Sequence, residues 1–401
     1  MINRVLVTDA GRSSAISIIR SLGRQGWHVV AADTTPASAG FASRYAAGRL
    51  VHPDPARDPD AAVEVVLDAA AAEQIDLIVP VTDELVLPLA AARSRLPAGC
   101  TLAVADDAGL AATADKAATL GLARRLGLDT PCTALVRTVE EARAAAPELG
   151  WPVVVKPARS RLRTDAGIER FEVTYANDPE ELAARMRTVG GRTEVLLQRW
   201  VRGEGHGVEV LASEGRPLAA FQHRRLREVP ITGGASSFRE SVPLDTELLA
   251  ASTRLLEELR WTGLAMVEFR VGPDGASLME VNGRIWGSLP LAVKAGMDFP
   301  ARLASLFVEG PPPPGPVETR YRVGVRSRNL WLEALWIAST VRPARRYPYL
   351  EAPPRRAAVG AALGLLSPGA RYDLLEADDP RPQLAELRGL ASKLRGKLTG
   401  G

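Results

Sequence analysis

Lysine is scarce in this sequence of 401 residues: only five of its 50 basic residues are lysines, and the other 45 are arginines. The two cysteines, Cys100 and Cys132, stand apart from each other and from any histidine cluster, which excludes a disulfide framework and a zinc site. No stretch reaches the roughly 18 apolar residues that span a bilayer, and the first residues lack the pattern of a secretory signal. We therefore expect a soluble cytoplasmic protein without stable membrane insertion.

Aromatic residues are also few, at 5% of the chain, and the positive charge is unevenly placed. Residues 311–401 contain 15 basic and 8 acidic side chains, so that residues 1–310 have a net charge of −4 although the whole chain has +3. A nucleic-acid-binding protein usually shows a basic surface with interleaved aromatic residues on its main domain. The acidic main body therefore argues against a nucleic-acid partner.

The length predicts two or three domains, at about 150 residues each. Residues 1–112 alternate short apolar strands with amphipathic helices, which predicts an open parallel α/β sheet. A strand, a turn and a helix, followed by a second strand that ends at Asp33, suggest a dinucleotide site. Gly11, however, stands alone where that motif needs three glycines. A nicotinamide-dependent oxidoreductase is therefore the less favoured alternative.

Residues 113–310 read as a mixture of helices and antiparallel strands. We predict a helix over 113–128, a strand over 151–157, an arginine-rich loop over 159–167 and a hairpin of strands 262–271 and 276–281. The proline run at 311–316 marks a boundary. The basic residues 311–401 beyond it form a helical extension that could close over the active site, form homodimer contacts or touch an anionic membrane surface.

The predicted hairpin contains the clearest chemical signal. Side chains alternate across a strand, so Glu280 and Asn282 share one face, and Glu268 can lie opposite them on the partner strand. Two carboxylates and an amide oxygen suit Mg²⁺, and Arg284 on the same face could clamp a phosphoryl group. The plainer interpretation is a solvated face on a hairpin whose apolar face consists of Val267, Phe269, Met279 and Val281.

Five segments in this order and spacing resemble the ATP-grasp ligases. They are Asp115-Lys116, residues 151–157, residues 197–205, Glu268, and residues 280–284. The resemblance covers residues 1–310, and within the superfamily residues 222–236 look most like the carboxylate–amine ligase branch, which includes carbamoyl-phosphate synthetase-like domains. It implies a Rossmann-like pre-ATP-grasp domain over 1–112 and a two-lobed α+β ATP-grasp domain over 113–310. The small lobe would span about 130–200 and the large lobe about 205–310.

The resemblance also implies roles for single residues at the nucleotide. Lys116 and Lys156 match the lysines that contact the ATP phosphates, where a compact ammonium group can approach an oxygen that a guanidinium cannot. Glu204 matches the acid that holds the ribose, although its register is open. The segment whose backbone would bind adenine contains Gln198, Arg199, Trp200 and Val201, and Arg199 departs from the common acidic residue.

At the reacting end, the resemblance implies that Glu268, Glu280 and Asn282 bind Mg²⁺, with Mn²⁺ as an alternative, and that Arg284 lies beside the transferred phosphoryl group. Arg224 or Arg225, which alternate along one strand, would bind the γ-phosphate or the substrate carboxylate.

Three neighbouring features have two interpretations each. The arginines of the 159–167 loop could replace the glycines that usually cover the phosphates, or the loop could be disordered without ligand. His223 could act as a general base or be structural. Asp83 or Glu84 could bind a cationic amine, or could begin a helix.

The sequence thus predicts an ADP-forming, ATP-dependent ligase that joins a small-molecule carboxylate to an amine through an acyl phosphate. A non-catalytic ATP-binding regulatory module is the alternative from another class. The identities of the carboxylate and the amine are not determined by the sequence.

Overall fold

The computed structural model describes residues 2–164, 167–189, 191–341, 353–367 and 371–389. These residues form a mixed α/β protein with a five-stranded parallel sheet, antiparallel sheets of four and six strands, and a two-stranded hairpin. Among the helices of the described ranges, none is long and apolar enough to cross a membrane.

The parallel sheet lies at the N-terminal end of the chain and has the order β3-β2-β1-β4-β5. Its strands are β1 (Arg4–Val7), β2 (His28–Asp33), β3 (Gly48–Val51), β4 (Leu77–Val79) and β5 (Thr101–Leu102). The connecting helices are α1 (Ser13–Arg24), α2 (Pro59–Ala72), α3 (Asp83–Ala91) and α4 (Asp107–Ala114). The carboxyl ends of β1 and β4, where the strand order reverses, form the edge at which such sheets bind ligands.

The sequence analysis missed β3 and α2. In β3 every residue is at least partly exposed, so the strand has no continuous apolar run. Helix α2 begins with a strong signal, because the Asp58 side chain accepts a hydrogen bond from the backbone N–H of Ala61 and Pro59 is the first helical residue.

The second sheet is antiparallel, with the order β10-β7-β11-β6. Its strands are β6 (Thr133–Val136), β7 (Val153–Pro157), β10 (Thr174–Ala176) and β11 (Val195–Arg199), and two helices, α6 (Val139–Leu149) and α7 (Pro179–Val189), pack against it. Strands β8 (Arg161–Thr164) and β9 (Gly167–Arg170) form a separate antiparallel hairpin. The prediction of a loop over 159–167 was therefore wrong, because Arg161–Thr164 pair with Gly167–Arg170.

The largest sheet has the order β16-β15-β12-β13-β14-β17. Its strands are β12 (Glu204–Ser213), β13 (Arg216–Val229), β14 (Ala235–Ser241), β15 (Gly263–Gly272), β16 (Gly275–Asn282) and β17 (Arg326–Arg328). The associated helices are α5 (Lys116–Arg125), α8 (Thr246–Glu258), α9 (Leu289–Ala295) and α10 (Phe299–Val308). One buried apolar cluster contains Leu6 and Ile78 of the parallel sheet together with Val208 and Val267 of this one. This shared core places the carboxyl edge of the parallel sheet beside the β15–β16 hairpin.

Several of the described residues beyond 310 contact the rest of the molecule. Strand β17 pairs with β14, so the predicted boundary at residue 310 does not separate the extension from the largest sheet. Helices α11 (Leu330–Val341) and α12 (Arg355–Leu365) follow among the described residues. The segment near Asp379 lies against α1, where Arg20 Nε and Asp379 Oδ2 are 2.9 Å apart and both side chains are buried.

Candidate active site

A β-bulge in the β15–β16 hairpin determines the geometry of the predicted metal ligands. Glu268 pairs with Glu280, but the next pair is Phe269 with Leu278, so Met279 is the extra residue. Leu278 is buried and Met279 is only partly buried, which corrects the predicted apolar face. The bulge lets Leu278 and Val281, three residues apart, both pack in the core.

The three predicted metal ligands come together as expected from strand alternation. Asn282 Nδ2 donates a hydrogen bond to Glu268 Oε1 at 2.9 Å, and Glu280 is the cross-strand neighbour of Glu268. Among the residues that the structure describes, no group of three or more His, Cys, Asp or Glu side chains forms a metal cluster by itself. The donor set of two carboxylates and one amide fits Mg²⁺, which usually completes its coordination with water and substrate phosphate oxygens.

Both predicted phosphate lysines reach this hairpin. Lys156 Nζ lies 3.1 Å from Glu280 Oε2 and donates a hydrogen bond to the carbonyl oxygen of Met279 at 2.9 Å. Lys116 Nζ lies 3.9 Å from Glu280 Oε1 and donates to Ser160 Oγ at 2.6 Å. The bulge residue thus supplies a backbone acceptor to one of the two lysines.

Local capping explains how Lys116 enters the site. The prediction of one helix over 113–128 was wrong, because the chain leaves helical geometry at Asp115 between α4 and α5. The Asp115 side chain accepts hydrogen bonds from the backbone N–H groups of Ala117 and Ala118 and so restarts the helix. Lys116 is the first residue of the new helix and is buried.

The site charges shift one another's pKa values. Burial raises the pKa of the Glu280 carboxyl, but the ammonium groups of Lys116 and Lys156 outweigh this effect and lower it to about 2. Burial lowers the pKa of Lys116, with Glu280 acting in the opposite direction. Glu280 therefore remains ionised at any physiological pH and balances part of the positive charge.

Only one of the two adjacent arginines faces the predicted metal ligands. Arg225 Nη2 lies 2.7 Å from Glu268 Oε1, and the Arg225 side chain is mostly buried. Arg224 points to the other side of the sheet, where its guanidinium donates to Glu240 Oε2 at 2.7 and 2.9 Å and lies 3.6 Å from Glu204 Oε2. The structure therefore brings Arg225, and not Arg224, to the carboxylates of the hairpin.

Arg284, which follows β16, connects the hairpin to the parallel sheet. Its Nε lies 3.0 Å from Oδ1 of Asp83, the first residue of α3. Burial lowers the pKa of Arg284, but Asp83 first, and then Glu280 and Glu268, raise it above its ordinary value. Arg284 is thus close to the predicted metal ligands and to the carboxyl edge of the parallel sheet.

The predicted adenine segment, residues 198–201, includes the last two residues of β11. Gln198 is buried and donates a hydrogen bond from Nε2 to Thr133 Oγ1 at 3.0 Å, whereas its Oε1 has no partner among the described residues. Trp200 and Val201 are partly buried. Arg199 turns away, since its guanidinium donates to the carbonyl oxygens of Glu148 and Leu149 at the end of α6.

Glu204, the predicted ribose ligand, lies at the start of β12. Its side chain is 60% exposed, and Oε2 lies 3.9 Å from His206 Nε2 as well as 3.6 Å from Arg224. In the register with β15, Glu204 pairs with Val271 and not with Glu268. The structure therefore does not bring Glu204 to the metal ligands.

The β8–β9 hairpin is attached to the N-terminal part of the chain through its arginines. Arg161 Nε and Arg170 Nη2 lie 3.0 and 2.8 Å from the same oxygen of buried Glu84, and Arg163 pairs with Asp60 at 2.6 Å. Glu84 has a lowered pKa: burial raises it, but Arg161 and Arg170 outweigh that effect. In this conformation these arginines bind acidic side chains, so they do not stand free to replace glycines around a phosphate.

The glycine of that hairpin has a packing role. Gly167 has φ +115°, and a Cβ added there would lie 2.4 Å from the carbonyl oxygen of Ala56. The neighbouring Ile168 donates its backbone N–H to the same carbonyl at 2.7 Å. The hairpin is therefore held against the segment before α2 by its backbone as well as by its charges.

Beneath the site lies a buried polar group that the sequence did not predict. His223 Nδ1 and Glu209 Oε1 are 3.0 Å apart, both side chains are fully buried, and Ser288 Oγ donates to Glu209 at 3.1 Å. Burial lowers the pKa of His223 to about 3 and raises that of Glu209. A histidine with no solvent exposure and this pKa is uncharged near neutrality, which favours the structural interpretation over the general base.

Comparison with known proteins finds similarity over part of this chain. Residues 192–329 match a family model described as "ATP-grasp in the biosynthetic pathway with Ter operon". The carbamoyl phosphate synthase large chain of Deinococcus deserti is 29% identical over 218 residues, 52% of this chain and 20% of that protein. The D-alanine–D-alanine ligase of Ectopseudomonas mendocina is 28% identical over 208 residues, 49% of this chain and 64% of that ligase. The chain thus spans about a fifth of the carbamoyl phosphate synthase large chain and less than two thirds of the ligase.

A solved structure extends the similarity to the fold. The biotin carboxylase domain of the Hydrogenobacter thermophilus 2-oxoglutarate carboxylase, a dimer in complex with MgADP and bicarbonate, superposes with a TM-score of 0.60 at 19% identity. The match covers 82% of this chain and 73% of that one. The family model covers residues 192–329, about a third of the chain, and the likeness to this solved structure extends the similarity to the fold.

Proposed function

We propose that this protein is an ATP-dependent carboxylate–amine ligase that releases ADP and phosphate. The observation that carries the proposal is the hairpin site: Glu268, Glu280 and Asn282 converge on one spot, with Lys116 and Lys156 beside it. In the absence of nucleotide, the carboxylates and these ammonium groups balance one another. The phosphate groups of ATP can replace the carboxylates as partners of the two lysines. The carboxylates are then available to bind a cation.

Different residues would have different roles in the first chemical step, the transfer of the γ-phosphoryl group. Lys116 and Lys156 would bind phosphate oxygens, Arg225 and Arg284 would offset negative charge at the transferred group, and Glu268, Glu280 and Asn282 would hold Mg²⁺. The bound Mg²⁺ would supply Lewis-acid stabilisation of charge on the phosphate oxygens. A substrate carboxylate oxygen forms a bond to the γ-phosphorus, the bond from that phosphorus to the bridging oxygen breaks, and ADP leaves.

In the second step the amine nitrogen attacks the carbonyl carbon of the acyl phosphate. The carbon–oxygen bond to phosphate breaks, inorganic phosphate leaves, and the amine loses a proton to solvent. No covalent bond to the protein is needed, because preorganised charges stabilise both transition states. The buried His223–Glu209 pair takes no part in these steps.

The proposal also assigns a separate role to each of three ranges of the chain. Residues 1–112 would supply one wall of the substrate site, 113–310 the nucleotide site, and the basic residues 311–401 a structural extension. We place adenine against Gln198, Trp200 and Val201 and the ribose near Glu204, in keeping with the resemblance. The partners would be small molecules, in the cytoplasm where ATP is supplied.

A non-catalytic ATP-binding module is the alternative. It needs the lysines but has no need for two carboxylates and an amide placed to hold a cation. The complete set at the hairpin therefore favours the enzyme.

The test is ADP release that depends on both a carboxylate and an amine, measured with pools of each and read by mass spectrometry for the ligated product. Glu280→Gln should reduce turnover by about 10²- to 10³-fold, the loss typical when one charge-stabilising group is removed from an active site. Glu214→Gln is the matched control, because Glu214, in the turn between β12 and β13, forms an exposed pair with Arg260. ADP release without any ligated product, or full activity in Glu280→Gln, would refute the proposal.

A further inference from the structure

A cavity of about 570 Å³ lies where the segment before β17 meets the segment after α12. Three of its six lining residues are arginines, namely Arg322, Arg326 and Arg371, and the others are residues 323–325. The volume falls within the range of about 300 to 1,000 Å³ that is usual for small-molecule sites. The cavity is therefore large enough for a ligand, and its side-chain polarity comes from arginine.

This cavity is separate from the hairpin that contains the predicted metal ligands. Strand β17 lies at the opposite edge of the largest sheet, and β12, β13 and β14 stand between β17 and β15. At about 4.8 Å per strand, β15 and β17 are roughly 20 Å apart. Arg326 also shares a face of the sheet with Arg224, since both are cross-strand neighbours of Glu240. That is the face away from Arg225, so the arginines of the cavity do not belong to the metal site.

The backbone that carries these arginines is fixed on both walls of the cavity. On one wall, the buried Ser241 hydroxyl donates to the carbonyl oxygen of Arg322 at 2.7 Å and accepts from the backbone N–H of Val325 at 2.9 Å. On the other wall, the carbonyl oxygen of Arg371 accepts from the backbone N–H of Arg328 in β17 at 3.0 Å. A ligand thus meets a cavity whose walls are already ordered, which lowers the entropic cost of binding.

Most hydrogen-bond donors of the three guanidinium groups are unused by the protein. Arg326 donates from Nε to Glu240 Oε1 at 2.7 Å, and Arg322 donates from Nη2 to the carbonyl oxygen of Lys294 at the end of α9. Within the described residues, the Arg371 side chain has neither a hydrogen bond nor an ion pair. A guanidinium group has five N–H donors, so each of the three arginines can bind a ligand and keep its present contact.

The cavity also has an excess of positive charge. Glu240 is paired with Arg326, but its other oxygen lies 2.7 Å from Arg224 Nη2, so one carboxylate balances two arginines. In the part of the chain that the structure describes, Arg322 and Arg371 form no ion pair. At least two positive charges at the cavity are therefore uncompensated, and their repulsion decreases when an anion binds between them. A dianion balances both charges, whereas a monoanion balances one.

We propose that the cavity bounded by Arg322, Arg326 and Arg371 is a binding site for a phosphate monoester. This group has nearly two negative charges and three acceptor oxygens at neutral pH, and a guanidinium group can bind two of these oxygens at once. The organic part of the ligand occupies the remaining volume beside Val323, which is 55% exposed. The site lies outside the ligase site and does not depend on the proposed function.

Two probes that differ in charge provide the test. Phenyl phosphate and benzenesulfonate each have a phenyl ring and a tetrahedral anionic group, but near neutrality the first is a dianion and the second a monoanion. The dissociation constant of each probe for the full chain is measured by ligand-observed NMR. Phenyl phosphate should bind at least about 10-fold more tightly, because only the dianion balances both uncompensated arginines. Equal affinities of the two probes would overturn the inference.

Variants of the arginines locate the bound probe. Arg371→Gln should weaken phenyl phosphate binding by about 10-fold or more, the loss expected when a hydrogen bond to a charged group is removed. It should leave the Tm unchanged, because the Arg371 side chain has no partner within the described residues. Arg322→Gln should give a similar loss of affinity. Arg320→Gln is the matched control, since Arg320 is an exposed arginine of the same segment that does not line the cavity, and its affinity should equal that of the natural protein.

Lys156→Gln separates this cavity from the predicted nucleotide site. Phenyl phosphate binding that is kept in Lys156→Gln and weakened in Arg371→Gln supports the inference. Binding that depends on Lys156 but not on Arg371 or Arg322 would show that the probe occupies the nucleotide site and would overturn the inference. So would the absence of any phenyl phosphate binding.

Vesicles distinguish a soluble phosphate ester from a lipid headgroup. Phosphatidic acid presents a phosphate monoester at a membrane surface, and phosphatidylcholine does not. Sedimentation of the protein with phosphatidylcholine vesicles only when they contain phosphatidic acid, lost in Arg371→Gln, would support the site with a lipid as its ligand. Phenyl phosphate binding without sedimentation would support the site with a soluble phosphate ester as its ligand.

Discussion

Replacing Glu280 by glutamine should destabilise the protein by an amount that depends on pH. Glutamine has the shape of the protonated acid but cannot balance the two lysines. The Glu280 pKa falls from 4.5 to about 2 on folding, and each unit is worth about 1.4 kcal/mol. At pH 7 the ionised carboxylate therefore contributes about 3 kcal/mol, an order-of-magnitude figure, to the free energy of unfolding.

The sign of the pH dependence follows from the direction of the shift. A carboxyl whose pKa is lowered in the folded state gives its full stabilisation above the unfolded pKa of 4.5 and loses it as the pH falls toward 2. The difference between the natural protein and Glu280→Gln should thus be constant from pH 7 to pH 5.5. It should decrease to about 2 kcal/mol at pH 3.5.

Urea unfolding followed by tryptophan fluorescence measures this difference, because Trp261 and Trp286 are buried close to the largest sheet. The exposed pair of Glu214 and Arg260 gives the control, and Glu214→Gln should change stability by less than about 1 kcal/mol. Equal stability of Glu280→Gln and the natural protein at pH 7 would refute the charge balance described above. A difference that does not decrease below pH 4.5 would refute it as well.

Two further predictions concern the arginines. Arg225→Gln should lower ligase turnover by about 10²-fold or more because the Arg225 guanidinium lies beside Glu268, a predicted metal ligand, whereas Arg224→Gln should change turnover by only a few fold. Similar losses of steady-state ADP release in the two variants would contradict the assigned orientations. Glu84→Gln should loosen the β8–β9 hairpin, since two arginines lose their shared carboxylate, and hydrogen exchange of the hairpin amides should accelerate by at least about 10-fold. Unchanged exchange would show that the backbone contact near Ala56 holds the hairpin alone.

Local sequence determined the chemical composition of the site. Alternation along a single strand placed Glu280 and Asn282 on one face, and the Gly272–Gly275 turn predicted that Glu268 would lie opposite them; the hairpin confirms both. These inferences succeeded because they depend only on neighbours in the chain.

Contacts between distant residues decided the remaining features. The bulge at Met279 depends on which of Leu278 and Met279 the core accepts, and the choice between Arg224 and Arg225 depends on which face of β13 covers Glu268. Neither the position of the bulge nor the orientation of the arginines can be predicted from one segment, because pairing register is a property of two strands.

The arginine-rich stretch shows the same limit most clearly. From sequence it resembled a phosphate loop, but it forms a hairpin because Glu84 and Asp60, about 80 to 100 residues earlier in the chain, provide partners for its charges. The pairing of Asp83 with Arg284 likewise required the shared core that joins the two sheets. The sequence by itself determined which charged groups this protein has at its site, and the tertiary structure decided which of them face one another, because opposite charges lower the free energy only where packing brings them within contact distance.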